Sequence, residues 1–266
     1  YYDANDAQIS GKVSRSDSVD YATVFDGLGW NVQTIDGHDH SAMHFAIETA
    51  KVMNKPSIII GNTVMAKGSA NMEQDHNTHG APLSQNEIDL TKEKLGLPDK
   101  KFFVPEQVIE HFRTRFNDLI TLESEWSDTY KKLSSSSSEL KNIIASTISE
   151  KIISEFDTPD FSAGEVLATR KAFGAVLDSI ADDLPQLVGG SADLEPSNYT
   201  GNFAEKFGDF TKINQSGRNI PFGVREFPMA AMMNGMALHG GLIPFGGTFL
   251  VFADYERPAL RLAAIQ

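Results

Sequence analysis

The stretch Trp30-Asn-Val-Gln-Thr-Ile35-Asp-Gly-His-Asp39 decides the fold, because it predicts a strand followed by a turn. Asp39 is a suitable N-cap for the next segment, and residues 40–53 place apolar side chains on one face of a predicted helix. Lys55-Pro56 ends that helix before an apolar strand, Ser57-Ile-Ile-Ile-Gly61. A strand, a helix and a second strand in this spacing predict a parallel β-α-β unit.

The segments on either side of this unit extend it. A helix is predicted from Asp17 to Leu28, where Gly29 would stop it. Residues 62–83 are rich in Gly, Asn and His and follow the second strand directly, at the edge where open α/β sheets bind ligands. Ser84-Gln-Asn-Glu87 then forms a capping box that starts another helix, closed by Gly96.

A second α/β unit is predicted in the last third of the chain. A helix is expected over residues 165–181, and Leu187-Val188 is expected to lead as a strand into the loop 189–198. Because this loop follows a strand, Ser191, Asp193 and Ser197 would face a cleft.

A helical linker is predicted between the two units. The helical pattern of residues 105–133 is interrupted by Ser134 to Ser138, five serines that suggest an exposed connection, and it resumes to Phe156. We therefore expect one domain over residues 1–104, a linker over 105–160 and a second domain over 161–266.

Composition excludes several classes of protein. Of the 266 residues, 41% are hydrophobic and 22% charged, which is normal for a globular protein. The apolar runs are too short to span a bilayer, and a net charge of -13 argues against nucleic-acid binding. The absence of cysteine excludes thiolate ligands and nucleophiles and fits a reducing compartment, for which we expect the cytoplasm, without excluding a plastid or other organelle.

A glutamate stands at the start of the most apolar part of the chain. Phe222-Gly-Val-Arg-Glu226-Phe-Pro-Met229 precedes a predicted helix, and Phe249, Phe252 and Tyr255 then follow three apart. A carboxyl group beside aromatic rings suits a flat, nitrogen-bearing heterocycle. The alternative is a core helix whose Arg225 and Glu226 pair with groups at its start. On this segment alone, we favour the alternative.

The string Gly189-Gly-Ser-Ala-Asp-Leu-Glu-Pro-Ser-Asn198 resembles a signature of the transketolase family. Further strings resemble that family in its order along the chain: Ile35-Asp-Gly-His-Asp39, Lys55-Pro-Ser57, Lys67-Gly-Ser69, Thr78-His-Gly-Ala-Pro-Leu83, Ala168-Thr-Arg-Lys171, Gly223-Val-Arg-Glu226 and Gly246-Gly-Thr-Phe249. Several such strings in one order are not a coincidence, and together they cover essentially the whole chain.

The resemblance implies two parallel-sheet α/β domains of the thiamine diphosphate-binding fold, each incomplete. Residues 1–104 would be the C-terminal part of the diphosphate-binding domain, and residues 161–266 the N-terminal part of the pyrimidine-binding domain. The family's Gly-Asp-Gly segment and its third domain have no counterpart here, so we expect the chain to be an internal part of a longer enzyme. The family transfers a two-carbon ketol unit between sugar phosphates through a thiamine diphosphate ylid, as a homodimer with active sites at the subunit interface.

The resemblance also implies roles for particular residues. Glu226 and His79 would be catalytic, and a divalent cation, Mg²⁺ or Ca²⁺, would be bound by Asn5 and the backbone of Ala7, although residues 6–10 depart from the family pattern. Residues implied to bind the cofactor are Glu226, Phe249, Phe252, Tyr255, Asp193, Leu194 and Met65. Residues implied to bind sugar phosphates are Arg170, Ser197 and His79.

Two alternatives remain at this point. A dihydroxyacetone synthase-like enzyme shares much of the string at residues 189–198 and would accept formaldehyde. A non-catalytic transketolase-like protein would keep the fold as a dimerisation module, against which the presence of Glu226, His79 and Arg170 argues.

Overall fold

The computed structural model describes residues 1–148 and 157–266. They fall into two compact units, 1–114 and 115–266. The limits predicted at residues 104 and 161 stay a prediction. Within the described residues, no helix is both long and apolar enough to cross a membrane.

The first unit is built on a parallel three-stranded sheet. Its strands are β1 (Tyr2–Ala4), β4 (Asn31–Asp36) and β5 (Ser57–Asn62), in the order β1-β5-β4. A small antiparallel hairpin is formed by β2 (Ala7–Gln8) and β3 (Gly11–Lys12). Its helices are α1 (Tyr21–Gly27), α2 (His40–Val52) and α3 (Gln85–Leu95). Ile58, Ile59 and Ile60 are buried in the central strand. The predicted β-α-β unit is thus confirmed as β4-α2-β5, with Asp39 capping α2 through the N–H groups of Ser41 and Ala42.

Helix α1 begins at Tyr21, so the prediction that it starts at Asp17 was wrong. The Asp17 carboxylate accepts hydrogen bonds from the Val19 N–H (2.9 Å) and the Tyr21 hydroxyl (2.7 Å), which holds this segment in a turn. Asp20 then caps the helix by accepting from the Thr23 N–H. Local side-chain bonds of this kind compete with helix formation.

Of the two side chains in the capping box predicted at the start of α3, Ser84 caps the helix as expected and Glu87 does not. The Ser84 hydroxyl accepts from the Glu87 N–H (3.2 Å), as a capping box requires, and Gly96 closes the helix with a left-handed φ of 65°. The Glu87 carboxylate, however, accepts from the N–H (2.7 Å) and the side-chain amide (3.0 Å) of Asn71. Helix α3 therefore holds the loop that follows β5.

The serine run interrupts the linker helix less than expected. Helix α4 spans Glu106–Ser136 and α5 spans Ser138–Ile148, so Ser137 alone separates them. The Ser135 hydroxyl donates to the carbonyl of Lys131 (2.7 Å), one turn earlier, so this serine remains within the helix and bonds to it locally. The part of the predicted helix from residue 149 to Phe156 lies outside the described residues.

The second unit contains a parallel pair of strands, β6 and β7, in register from Leu187↔Ile243 to Ser191↔Gly247. Its elements are α6 (Thr169–Ile180), β6 (Leu187–Ser191), α7 (Glu195–Asn198), α8 (Gly201–Phe207), α9 (Glu226–His239), β7 (Ile243–Gly247) and α10 (Ala253–Ile265). A core of Leu177, Ala181, Leu184, Leu187 and Phe203 lies beneath the strands. The expectation of two parallel-sheet α/β units is confirmed.

Helix α6 begins four residues later than predicted, at Thr169. Ser162 and Glu165 bond to each other instead, since the Ser162 N–H donates to the Glu165 carboxylate (3.3 Å) and the Glu165 N–H donates to the Ser162 carbonyl (3.0 Å). This closed turn replaces the first turn of the expected helix and places Arg170 near the helix start.

Substituting Glu87 should destabilise the protein in a pH-dependent way. The hydrogen bonds from Asn71 lower the pKa of Glu87, so its contribution is present above the ordinary pKa of about 4.3 and is lost as pH falls through the lower folded-state pKa. We expect Glu87→Gln to lower the thermal unfolding midpoint at pH 7 and to have little effect at pH 2 to 3. Glu93→Gln, at an exposed position of the same helix, is the control. An equal loss at both pH values would contradict the assignment.

Candidate functional site

Four of the predicted site residues lie in the first unit, beyond the C-terminal ends of β1 and β5. Asn5 follows β1, and Met65 lies three residues after β5. Gln74 joins the two loops, because its side-chain amide donates to the Asn5 carbonyl (2.6 Å) and its N–H donates to the Met65 carbonyl (2.9 Å). Loops at this edge of a parallel sheet are where ligands bind.

Asn5 and Ala7 form a tight turn whose amide and carbonyl oxygens could act as metal ligands. The Asn5 side-chain oxygen accepts from the Ala7 N–H (3.0 Å), and its amide nitrogen donates to the Asp3 carboxylate (3.0 Å). Within the described residues, no cluster of three His, Cys, Asp or Glu side chains could hold a metal ion. A cation at this turn would thus need oxygen donors, such as amide and carbonyl groups, completed by a ligand's phosphates, a set that suits Mg²⁺ or Ca²⁺.

His79 lies on the rim of a cavity of about 550 Å³ in the first unit, together with Gln8, Ile9, Ser10, Arg15 and Ser16. It follows a short 3₁₀ turn, His76–Thr78, capped by the Asp75 carboxylate. The His76 ring nitrogen Nδ1 lies 3.2 Å from the Ile9 carbonyl and ties this loop to the β2–β3 hairpin. The His79 side chain is exposed and open to a ligand.

In the second unit, the ends of β6 and β7 are joined through Ser191. Its hydroxyl donates to the Gly247 carbonyl (3.2 Å) and accepts from the Leu194 N–H (2.9 Å) and the Asn198 amide (2.7 Å). Ser191 is completely buried, so the expectation that it would face a cleft was wrong. Its hydroxyl is used to hold the loop 193–198 in place.

Arg170 and Phe249 line one cavity of about 650 Å³ at this edge. The loop at the end of β7 contributes Gly247 and Thr248, while Asn198 and Phe173 close the cavity. Sequence reasoning assigned no binding role to Phe173, Asn198 or Thr248. Asn198 and Thr248 both stood within recognised strings, and that was the available signal.

The other predicted site residues of the loop 193–198 lie around the C-terminal ends of β6 and β7 and do not converge on one point. Asp193 is exposed and has a left-handed φ of 62°, and Leu194 is half-buried at the start of α7. Ser197 is half-buried beside Asn198, and its N–H donates to the Leu194 carbonyl (2.8 Å). The structure therefore places Ser197 next to the cavity that Arg170 lines.

The predicted aromatic residues form a row. The rings of Phe249 and Phe252 stack with centroids 6.1 Å apart, and the Phe252 and Tyr255 rings are 6.2 Å apart and tilted by 40°. Phe249 and Phe252 are half-buried, whereas Tyr255 is exposed. A row of this kind offers faces on which a flat ring can stack.

Glu226 is buried, with 9% of its surface exposed, at the first position of α9. The Phe222 N–H donates to the Ser191 carbonyl (3.2 Å), so the segment that leads into α9 lies beside the end of β6. Within the described part of the chain, the Glu226 carboxylate has no hydrogen-bond partner, whereas Arg225 donates to the Phe222 carbonyl (3.0 Å). Arg225 therefore pairs with a group at the start of α9, as the alternative interpretation required, but Glu226 does not.

A second buried carboxyl group was missed by sequence reasoning. Glu256 lies in the first turn of α10, directly after Tyr255, and only 8% of its surface is exposed. Burial, and then the negative charge of Glu226, raise the pKa of Glu256. Its place beside the predicted aromatic residues was the signal in the sequence.

Comparison with known proteins identifies the family. The family model described as "Transketolase, thiamine diphosphate binding domain" matches residues 1–152, and the model "Transketolase, pyrimidine binding domain" matches residues 165–266. The chain belongs to the transketolase family. A transketolase from Bacillus subtilis is 40% identical over 270 residues, which are 99% of this chain and 40% of that protein.

Solved transketolases resemble the chain in structure as well. The enzyme from Leishmania mexicana matches with a TM-score of 0.90 and 33% identity over 99% of this chain and 40% of its own. One from Pichia stipitis matches with a TM-score of 0.88 and 32% identity over 98% of this chain and 40% of its own. The chain thus spans about 40% of the length of the transketolases that it matches.

Proposed function

We propose that the protein acts as a transketolase, which transfers a two-carbon glycolaldehyde unit from a ketose phosphate to an aldose phosphate with thiamine diphosphate as cofactor. The observation that carries this proposal is Glu226 at the start of α9, whose side chain is largely buried and whose carboxylate has no hydrogen-bond partner among the described residues. A carboxylate left without a protein partner at such a position is available to a ligand. We also propose a cytoplasmic location, which fits the absence of cysteine.

The second unit has groups that fit the pyrimidine end of the cofactor. Phe249, Phe252 and Tyr255 supply ring faces, and Asp193 and Leu194 border the same edge of the strands. When bound, thiamine diphosphate supplies the carbon nucleophile and the electron sink for cleaving the ketose.

Glu226 would act on the proton of the cofactor's ring nitrogen. A carboxyl group positioned within hydrogen-bond reach of a ring nitrogen can exchange a proton with it. The half-buried rings of Phe249 and Phe252 help to exclude water from that proton.

Arg170 and Ser197 would hold the phosphate group of the sugar. The planar guanidinium group of arginine forms paired hydrogen bonds with phosphate oxygens, and Arg170 lines a cavity large enough for a sugar. The Pichia stipitis transketolase named above is described in complex with sedoheptulose 7-phosphate. We propose that this chain also takes sugar phosphates, with His79 near the reacting end.

In the first unit, Asn5 and the Ala7 carbonyl would bind the divalent cation, Mg²⁺ or Ca²⁺, that holds the cofactor's diphosphate. The support is the turn in which Asn5 and Ala7 are already held together, and its link through Gln74 to the loop of Met65. Met65 would contact the cofactor from that loop.

A homodimer is proposed as the working form. In the last turn of α9 and in the turn before α10, the chain exposes large apolar side chains, with 62% of Leu238, 90% of Leu250 and 68% of Val251 accessible. Apolar surface of this kind suits a subunit interface. In such a dimer, Asn5 and His79 of one subunit would serve the same site as Glu226 and Phe249 of the other.

Replacing Glu226 tests the central claim. In the protein expressed from its complete reading frame, we expect Glu226→Gln to lower kcat for ketol transfer by about 100-fold or more, since proton transfer by a positioned side chain contributes roughly 10² to 10⁴. Glu205→Gln, at an exposed position of α8, should leave kcat unchanged. Activity of Glu226→Gln near wild type at saturating thiamine diphosphate and Mg²⁺ would refute the role.

Replacing Arg170 tests the sugar-phosphate site. Arg170→Ala should raise KM for phosphorylated ketoses by roughly 10- to 100-fold, the cost of one charge-assisted hydrogen bond of about 1.5 to 3 kcal/mol. Unphosphorylated analogues should be much less affected. Lys171→Ala, one residue further along the exposed helix start, serves as the control. Equal losses for both kinds of substrate would rule out phosphate binding by Arg170.

Subunit exchange tests the dimer. His79→Ala and Glu226→Gln should each be inactive alone, whereas random mixing of the two should restore about one quarter of the sites, because one of the two sites in each heterodimer regains both residues. Each variant exchanged with itself is the control. If mass spectrometry shows heterodimers and no activity returns, each site is built within one chain.

A further inference from the structure

The side-chain amide of Asn5 is held in one orientation by two neighbours. Its nitrogen Nδ2 donates to the Asp3 carboxylate (3.0 Å), and its oxygen Oδ1 accepts from the Ala7 N–H (3.0 Å). An ionised carboxylate can only accept a hydrogen bond, and a backbone N–H can only donate one. A flipped Asn5 amide would therefore oppose like groups on both sides, so its oxygen stays turned towards Ala7.

Asp3 is itself held by the segment that follows β5. It pairs with Gly61 in the register of β1 and β5, and its second carboxylate oxygen accepts from the Thr63 hydroxyl. The Thr63 N–H donates in turn to the Ala4 carbonyl (3.3 Å). Each oxygen of the Asp3 carboxylate thus has a donor, and the carboxylate bridges Thr63 to Asn5.

The position of Thr63 is fixed by the turn that follows β4. The Val64 N–H donates to the His38 ring nitrogen Nε2 (2.8 Å), and the Gly37 N–H donates to the Asn62 carbonyl (2.8 Å). The orientation of the Asn5 amide therefore depends on the ends of all three strands of the sheet and not on its own loop alone.

Other carboxylates near this turn do not contact the Asn5 side chain. A cavity of about 450 Å³ is lined by Asn5 and by Asp3, Asp6, Asp17 and Asp20. Asp17 and Asp20 accept hydrogen bonds from groups at the start of α1. Among the residues that the structure describes, the Asp6 carboxylate has no hydrogen-bond partner, and Asp3 is the one carboxylate of the four that bonds to Asn5.

We propose that Asp3 is a positioning residue for the divalent cation site: held by Thr63, it fixes the Asn5 amide so that the amide oxygen is available to the cation. Both Asp3 oxygens already accept hydrogen bonds, so Asp3 acts through Asn5 and is not itself a ligand. Groups that orient metal ligands in this way change metal affinity by about 10- to 100-fold when they are replaced. The inference rests on the cation site proposed above for Asn5 and Ala7.

Binding of Mn²⁺ tests this role in the protein expressed from its complete reading frame, with thiamine diphosphate present to supply phosphate ligands. Asp3→Asn should raise the Kd for Mn²⁺, measured from the electron paramagnetic resonance signal of the free ion, by about 10- to 100-fold. The reason is that an amide at this position can donate as well as accept, and so accommodates both orientations of Asn5. The thermal unfolding midpoint of the metal-free protein should change little, since Asp3 is exposed.

Asp6→Asn is the matched control. It removes the same charge at an exposed position next to Asn5, and asparagine tolerates the left-handed φ of 51° found there. The Kd for Mn²⁺ should stay close to that of the wild type. An equal loss of affinity in Asp6→Asn and Asp3→Asn would overturn the proposal, because negative charge alone would then explain both.

Thr63→Val separates positioning from direct ligation. The substitution keeps the shape of the side chain and removes the hydroxyl that donates to Asp3, so it should weaken Mn²⁺ binding in the same direction as Asp3→Asn. If Asp3 were itself a ligand, losing a competing donor would leave the affinity unchanged or raise it, and that result would overturn the proposal. Because the two variants act on opposite ends of one interaction, either decides the question if the other fails to fold.

The same measurements separate this inference from the proposed function. A wild type that binds no Mn²⁺ with thiamine diphosphate would refute the proposed cation site and this inference with it. Binding by the wild type with an unchanged Kd in Asp3→Asn would refute this inference alone. A weakened Kd in Asp3→Asn, in a protein whose wild type transfers no ketol unit, would support this inference and refute the proposed activity alone.

Discussion

The carbonyl oxygen of Gly247 accepts hydrogen bonds from the Ala192 N–H (3.0 Å) and the Ser191 hydroxyl (3.2 Å), and the site in the second unit depends on this junction. It locks the ends of β6 and β7 together. Because Ser191 is fully buried, water cannot replace these bonds. The loop of Asn198 and the start of the aromatic row at Phe249 are thereby held at the same edge.

The paired glycines in the recognised strings follow from this close packing. A Cβ atom on Gly190 would lie 2.2 Å from the Ile220 carbonyl oxygen, and one on Gly247 would lie 2.6 Å from the Asn198 amide nitrogen. Neither position can accept a side chain without moving backbone or breaking the Asn198–Ser191 bond. Conserving the shape of this edge thus requires glycine, and the chemistry falls to residues around it such as Arg170 and Glu226.

Sequence patterns predicted the elements whose ends carry one clear local signal and failed where neighbouring local hydrogen bonds compete. The strands β4 and β5 and the caps Asp39 and Ser84 were predictable because hydrophobic runs and short-range hydrogen bonds define them. The start of α1 was not, because two aspartates compete for it.

The candidate site, like the fold, was predictable from the sequence only in part. The strings that resemble a family marked Glu226 and the aromatic row, but a string cannot show whether a hydroxyl points into a cleft. Ser191 is buried and has a structural role, because its hydroxyl bonds to Gly247 and Asn198. Asn198, in the same string, does line the cavity. Glu256 stood outside the recognised strings, and only the structure shows that it is buried in the first turn of α10.

Two buried glutamates show how burial alone fails to distinguish a structural carboxyl group from a functional one. Glu87 is 6% exposed and Glu256 is 8% exposed. Glu87 accepts two hydrogen bonds from Asn71, which favour its charged form and lower its pKa, so its environment is complete. Glu256 has a buried oxygen without a partner among the described residues, and its burial, followed by the negative charge of Glu226, raises its pKa. Burial with completed hydrogen bonds therefore favours the charged form of Glu87, whereas burial without them disfavours the charged form of Glu256, so the hydrogen bonds and not the burial separate the two glutamates.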